Sequence, residues 1–505
     1  MKRPVACAVG LLLAADAGAQ QYQSELRSQF ERGVEQTEPT LGWFVQPRIE
    51  SALYLIGNFN LAEEGSGEEE LNMAGVEAAP GIYASYNSSR AEGFVDYSLI
   101  GRAWEESDYN ELTHRLTTRG DYLAVPDWFR IGAQATYSDG VIDPTRSFNY
   151  GGMGLFDPTN SNERLTASVS PQVFHDFRDF RFDASYTYGQ VWYLDGEPDP
   201  SRLVYTLYQD DSVDQSALVS FSTNRDSDWN GRVFYEWQYS NFETTVDYKY
   251  ERAGIELGRR LTRTLSLVGD YGLESDLDES TTEGGLDSSY WHAGLEWRPD
   301  ERTSVEARYG QRFFGDSWSL NLSRDTGWVT IRLVYIEDPT VETRRVGINF
   351  DPDEIPLPAP GDELSGFTSL PYVRKDAVAT VIAEGAKTRI RLSAYDRNRE
   401  YINDFPPDEN RQGVQLSVLR DLGAYLYAEV ESRYDDVETR RRTLTLPDPE
   451  DEEFFYHYYD WDIVGRITWE AYTNFTCSGE VGYLNRSGSQ NYDGEWVAFR
   501  LRYTF

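Results

Sequence analysis

Cysteine is nearly absent from this chain: Cys7 and Cys477 are its only two. Cys7 lies in a leader expected to be removed, so no intramolecular disulfide is expected in the mature protein, although its compartment would permit one. Pro4 stands where a lipoprotein signal calls for an aliphatic residue, which excludes lipidation at Cys7. Histidine is scarce too. His114, His175, His292 and His457 have neither an i,i+4 histidine nor a neighbouring cysteine, so zinc-site spacing is missing. No Gly-x-Ser-x-Gly elbow appears in a strand–helix context. The nearest phosphate-cradle candidate, Glu64-Gly65-Ser66-Gly67-Glu68, is acidic and would repel phosphate. No catalytic set, cofactor site or metal site is therefore expected, and the chain is read as a non-enzyme. Positive charge is short: 47 basic against 85 acidic residues give a formal charge of -38. That excludes general nucleic-acid binding, which works by displacing counterions with cations. Beyond Ala19 no apolar run is long enough for a transmembrane helix.

A mean hydropathy of -0.59 ordinarily describes a water-soluble protein. A membrane barrel escapes that test, because every second strand residue faces the lumen and is free to be polar. The aromatic content agrees with a barrel: 35 tyrosines, 24 phenylalanines and 13 tryptophans suit two interfacial girdles. Alternation recurs along the chain, as in Phe180–Tyr188, Trp291–Trp297 and Trp461–Trp469, with similar runs near 129–137, 231–239, 265–273, 303–309, 328–335, 389–395 and 414–419. Aromatics bracket small or aliphatic residues on one face of each, and the other face is mostly polar. At the C-terminus, Val497, Phe499, Leu501, Tyr503 and Phe505 form an apolar face. Ala498, Arg500, Arg502 and Thr504 form the opposite one. Phe499, Leu501, Tyr503 and Phe505 resemble the C-terminal signal by which barrel-assembly machinery recognises bacterial outer-membrane proteins.

The connections alternate between short and long. Segments 298–302, 323–327, 384–387, 420–423 and 470–474 read as short turns, whereas 337–371 and 435–455 read as long loops. In bacterial barrels the short side is periplasmic. Counting back from Phe505 predicts an all-β, antiparallel transmembrane barrel of about 20–22 strands, even in number. The domain reading is a secretory signal peptide over 1–19, with Lys2 and Arg3 before Val5–Ala15 and small residues Ala17-Gly18-Ala19. A short periplasmic segment over 20–41 follows, then the barrel over 42–505. The 20–41 segment is too small to be the plug of a large transporter. Any narrowing would fall to loops, 337–371 above all, where Asp351–Gly361 is rich in proline.

Two acidic runs fall on expected outer loops. One holds Asp448, Glu450, Asp451, Glu452 and Glu453, and the other runs from Glu274 to Asp287. Carboxylates so clustered suit calcium, but they lack a calcium-loop spacing, and a solvated loop is the plainer reading. The wider acidity reads as loop solubility, or as a cation-favouring vestibule or a surface cross-linked by divalent ions. Arg181 with Asp183, Glu306 with Arg308, Arg389 with Arg391, and Arg500 with Arg502 are expected to face inward. They would form either a cross-barrel ion-pair network or a polar track, with Phe234 and Tyr395 as inward aromatics. His292 is expected as a wetted lumen residue.

Tyr309-Gly310-Gln311-Arg312-Phe313-Phe314-Gly315-Asp316-Ser317-Trp318-Ser319-Leu320 resembles a hairpin of the PEP-CTERM system-associated outer-membrane proteins, with Arg312, Phe313, Phe314 and Gly315 its most specific part. Asp316 and Trp318 stand where that family has Asn and Tyr. Pro371–Lys375, Ile390–Tyr395 and the stretches 45–60 and 93–102 fit the same family. The resemblance implies an outer-membrane barrel that accompanies exopolysaccharide production and exosortase-type sorting in Gram-negative bacteria. The expected function is a porin-like channel or export component for exopolysaccharide or another secreted polymer. The alternatives are a structural or adhesive surface barrel with a filled lumen and, less favoured, an outer-membrane enzyme. Expected partners are outer-membrane lipid and lipopolysaccharide, the barrel-assembly machinery and exopolysaccharide, with no nucleic acid.

Overall fold

An alternating strand can satisfy water on one face and lipid on the other only if its backbone is fully paired, and a closed sheet achieves this. The computed structural model describes residues 41–62, 65, 67, 69–141, 161–194, 211–223, 228–243, 247–277, 284–341, 371–402, 408–441, 454–489 and 491–505. It contains 22 strands. They are β1 (Gly42–Ile56), β2 (Met73–Asn87), β3 (Ala91–Trp104), β4 (Glu111–Val125), β5 (Phe129–Val141), β6 (Ser161–Asp176), β7 (Phe180–Tyr193), β8 (Ser212–Thr223), β9 (Trp229–Phe242), β10 (Tyr248–Arg260) and β11 (Leu265–Glu274). The second half is β12 (Ser288–Asp300), β13 (Thr303–Arg312), β14 (Gly315–Asp325), β15 (Val329–Thr340), β16 (Tyr372–Glu384), β17 (Thr388–Tyr401), β18 (Glu409–Gly423), β19 (Leu426–Arg441), β20 (Phe454–Tyr472), β21 (Phe475–Gly488) and β22 (Tyr492–Thr504). Each strand pairs antiparallel with the next. β1 also pairs with β22, so the sheet closes into a barrel. The closing ladder is short: only Arg48–Ile56 of β1 meets β22, whereas Gly42–Ile56 meets β2 throughout. Its last rung is the Phe505 N–H donating to the Pro47 carbonyl at 3.0 Å.

Parity sets the faces as expected. On β22, Val497 and Phe499 are 49% and 47% exposed, while Trp496 and Ala498 between and beside them are buried. On β20, Ile463, Ile467 and Trp469 point outward, and Asp462, Arg466 and Thr468 point inward. An outer wall of exposed Val, Leu, Ile and Phe is costly in water and suits hydrocarbon. Exposed aromatics rim it at the short-turn end (Trp229, Trp297, Trp328, Trp469, Phe505) and at the long-loop end (Tyr271, Trp291, Trp318, Tyr434, Trp461).

Several boundaries differ from the sequence reading. β19 continues to Arg441 and β20 starts at Phe454, so Asp435 and its neighbours, expected in a loop, are strand residues. Alternation of apolarity is lost there because both faces are polar, inward Asp435 and outward Asp436 alike. β15 likewise takes the first residues of the expected 337–371 loop by running to Thr340, while β16 starts at Tyr372, directly after it. The turn expected at 420–423 lies directly after that segment, at Ala424-Tyr425. Glu274 is the last residue of β11, fully buried, and belongs to no loop. Phe313-Phe314 is a two-residue turn at the long-loop end, where Gly315 takes φ +113, a conformation that disfavours any side chain. Residues 1–40, the loop core 342–370 and the calcium candidates Asp448, Glu450, Asp451, Glu452 and Glu453 lie outside the described residues.

Candidate functional site: the inner wall

The inner wall carries the charge that the outer wall excludes. All four inward pairs expected from parity face the lumen side. Arg308 donates to Glu306 at 2.8 Å, Glu256 at 3.1 Å and Asp270 at 3.3 Å. Arg466 donates to Glu480 at 2.7 Å and Glu429 at 3.2 Å. Arg486 forks onto Asp460 at 2.6 and 2.7 Å, with its guanidinium over the Tyr458 ring at 4.0 Å. Arg308–Glu306 lies within β13, and each of the other pairs joins neighbouring strands or strands at most three apart. The network therefore runs along the wall. This corrects the cross-barrel geometry expected for it. The reason is reach: a side chain spans one to three strand spacings of about 4.8 Å, not the bore of a 22-stranded barrel.

β17 concentrates one sign. Arg389, Arg391, Arg397 and Arg399 share its inner face with Ser393 and Tyr395, and that face holds no acid. The neighbouring strands supply the counter-charges. Glu384 lies 2.9 Å from Arg389, and Glu409 lies 4.0 Å from Arg399. Asp435 on β19, fully buried, takes Arg411 at 2.6 Å and Arg433 at 3.2 Å, and also accepts from Tyr395. The two inward aromatics singled out in sequence are thus held by the protein itself. Tyr395 is bonded to Asp435, and Phe234 lies under Arg232 and Arg252 at 5.2 and 5.5 Å.

The hairpin singled out by its resemblance builds the long-loop rim. Arg312 donates to Glu274 at 2.8 and 3.0 Å, to the Tyr250 hydroxyl at 2.6 Å, to Asp338 at 3.1 Å and to the Glu337 carbonyl at 3.2 Å. Glu274 also accepts the Phe313 N–H at 3.0 Å, and the guanidinium sits 5.0 Å from the Phe314 ring. One arginine thus ties β10, β11, β13 and β15 together. Phe313 packs on a buried cluster of Phe242, Tyr248, Tyr250, Leu277 and Val341. Roughly opposite, Tyr54, Ile56, Trp104, Leu484 and Trp496 form a second cluster behind the β1–β22 closure. Trp496 lies flat on Gly482 and Trp104 on Gly75, its direct cross-strand partner in each case. A Cβ on either glycine would meet the ring at 2.0 and 2.2 Å. Both clusters sit in the long-loop half. On β1, β3, β9 and β22 the inward side chains are covered there and more open toward the short turns.

His292 is more than a wetted lumen residue: its Nδ1 lies 2.9 Å from Asp270. His457 pairs with Asp436 on the outer face, His114 bonds Tyr97, and His175 stacks on Trp128 at 3.8 Å. Among the described residues no three His, Cys, Asp or Glu side chains group as a metal site. Glu274, Asp270, Asp435 and Gly482 carried no sequence signal of their roles, because each depends on cross-strand register.

No family model matches the chain, and no curated protein does. Among solved structures, the siderophore receptor PirA from Acinetobacter baumannii is similar over 93% of this chain and 81% of its own, with 10% identity and a TM-score of 0.49. The FrpB iron transporter from Neisseria meningitidis is similar over 92% of this chain and 82% of its own, with 9% identity and a TM-score of 0.49. A loop-deletion mutant of OmpT, an outer membrane protein of Vibrio cholerae, covers 92% and 100%, with 9% identity and a TM-score of 0.30. At these scores the function has to be argued from this chain's own residues.

Proposed function

We propose that this barrel is a passage across the bacterial outer membrane for a hydrophilic polymer, with exopolysaccharide the class that the hairpin resemblance favours. The observation that carries the reading is the direction of the ion pairs. The bore of a 22-stranded wall is too wide for side chains to bridge, so ion pairs that lie along the wall leave the axis to a solute. Arg391, Arg397 and Arg399 are buried, and the more open Arg389 gives the track a hydrogen-bonding group suited to hydroxyl and carboxylate groups. Short turns would face the periplasm and long loops the exterior. Phe499, Leu501, Tyr503 and Phe505, all on the outward parity of the last strand, would be the segment taken up by the assembly machinery.

The covering of the long-loop half favours a second reading, a surface barrel with a filled mouth and a structural role. Planar-bilayer recordings separate the two. A passage gives stable single-channel steps that a long acidic polysaccharide blocks from one side. A barrel that inserts, shows the heat-modifiable mobility of a folded barrel and passes no current overturns the passage.

A further inference from the structure

Four residues on four neighbouring strands stand in one row of the inner wall. Asp270 on β11 is the direct partner of His292 on β12, His292 of Gly310 on β13, and Gly310 of Ser317 on β14. Their outward neighbours Tyr271, Trp291, Tyr309 and Trp318 are all exposed, so the row itself faces inward. Gly310 is the gap in it. A Cβ there would meet His292 Cδ2 at 2.6 Å and the Trp291 carbonyl at 1.8 Å, so only glycine lets the imidazole lie across β13. The ring reaches the far strand: Nδ1 is 2.9 Å from Asp270 Oδ2, and Nε2 is 3.4 Å from Ser317 Oγ. The other Asp270 oxygen is taken by Arg308 at 3.3 Å. With Nδ1–H donating to Asp270, which Arg308 holds, Nε2 is the acceptor that faces the serine.

We propose that Ser317, His292 and Asp270 form a hydrolytic centre in the barrel wall that cleaves short-chain acyl esters. Ser317 Oγ is the nucleophile, His292 the general base and Asp270 the group that orients the ring. Oγ bonds to the ester carbonyl carbon as its proton passes to His292 Nε2. Collapse breaks the carbon–alkoxy bond, and the leaving alcohol takes that proton. Water then gives a proton to Nε2 while its oxygen bonds to the acyl carbon. Oγ departs with the proton, and the sum is ester plus water to acid plus alcohol. The 3.4 Å separation suits a resting site that tightens when the substrate arrives. The acyl group must be small. Ser317 is only 3% exposed, and the row is bounded by the charged Arg308–Glu256 and Arg312–Glu274 groups rather than by an apolar slot. Under the passage reading the carrier would be an acylated, hydroxyl-rich polymer, but the hydrolysis does not require that reading.

The test uses the folded, detergent-purified full chain. Diisopropyl fluorophosphate should label one peptide, containing Ser317, and 4-nitrophenyl acetate should be hydrolysed with the same residue required. Ser317→Ala should abolish both. His292→Ala should lower hydrolysis by roughly 10²–10⁴-fold, and the near-isosteric Asp270→Asn should lower it as well, with heat-modifiable mobility retained. Absence of labelling in the folded wild type overturns the proposal. So does hydrolysis that survives Ser317→Ala. Channel recordings on the same preparations keep the two ideas apart, since conductance without labelling spares the passage and labelling without conductance spares the hydrolase.

Discussion

The two ends of the sheet and its arginine sector solve one problem differently. Behind the β1–β22 closure the inner wall is apolar: Tyr54, Ile56, Trp104, Leu484 and Trp496 bury one another. Across β17–β19 it is charged: Arg397, Arg411 and Arg433 gather around Tyr395 and Asp435. Fully burying a large apolar side chain stabilises by about 1.5–3 kcal/mol with no partner to position. A buried ion pair roughly breaks even against an apolar replacement, because desolvation offsets the attraction. Closure thus rests on the first kind of wall, where the sheet would otherwise have free edges. The second kind adds little stability of its own.

The largest effect should come from attacking the apolar sector. Gly482→Leu places a Cβ 2.0 Å from the Trp496 ring, with no room for the rest of the side chain. The expected outcome is a protease-sensitive chain without heat-modifiable barrel. Normal assembly would show that the cluster is not what secures closure. Next, Asp435→Leu should destabilise by about 3–5 kcal/mol, since it removes the carboxylate that the buried Arg411 and Arg433 share, of which Arg433 keeps Asp462 at 3.0 Å. Adding Arg411→Met should recover part of that loss in urea unfolding from micelles. No recovery would mean that the charged sector stabilises in its own right.

Ile467→Lys, on the outer wall at 55% exposure, should cost on the order of 2–4 kcal/mol, and Ser319→Lys on the inner face far less. Equal costs would show that the inner face is no wetter than the outer. The smallest structural effect should follow Arg389→Ala, the more open of the β17 arginines. Folding should be unchanged, while the reversal potential under a salt gradient moves toward cation preference. An unmoved potential would remove Arg389 from the conduction path.

Strand parity was legible in the sequence because it is local. The alternation Val497, Phe499, Leu501 or Ile463, Gly465, Ile467 needs no partner to be read, and the barrel, its strand number and its start near residue 42 follow from it. The inner-wall sites were not legible, because register is not local. Asp270 and Ser317 meet through His292 only because three turns have the lengths they have. A one-residue slip in any of them would send one member to the lipid face. Glu274 looked like part of an acidic loop for the same reason. Nothing near it in sequence announces Arg312, its partner 38 positions on.

The short β1–β22 ladder has a consequence for the order of folding. Its rungs, and the Asn58 side-chain bond to the Asp493 carbonyl beside them, join residues 435 or more positions apart. Every other ladder can form between neighbours as the chain is laid down, but this one must wait for the last strand and bear the loop entropy of the whole sheet. The long-loop half of the closure is where the buried tryptophans lie, so zippering should begin there and run toward Pro47 and Phe505. An assembly intermediate should then be an open sheet with 21 ladders made, held as a curved ribbon until Trp496 finds its place beside Tyr54.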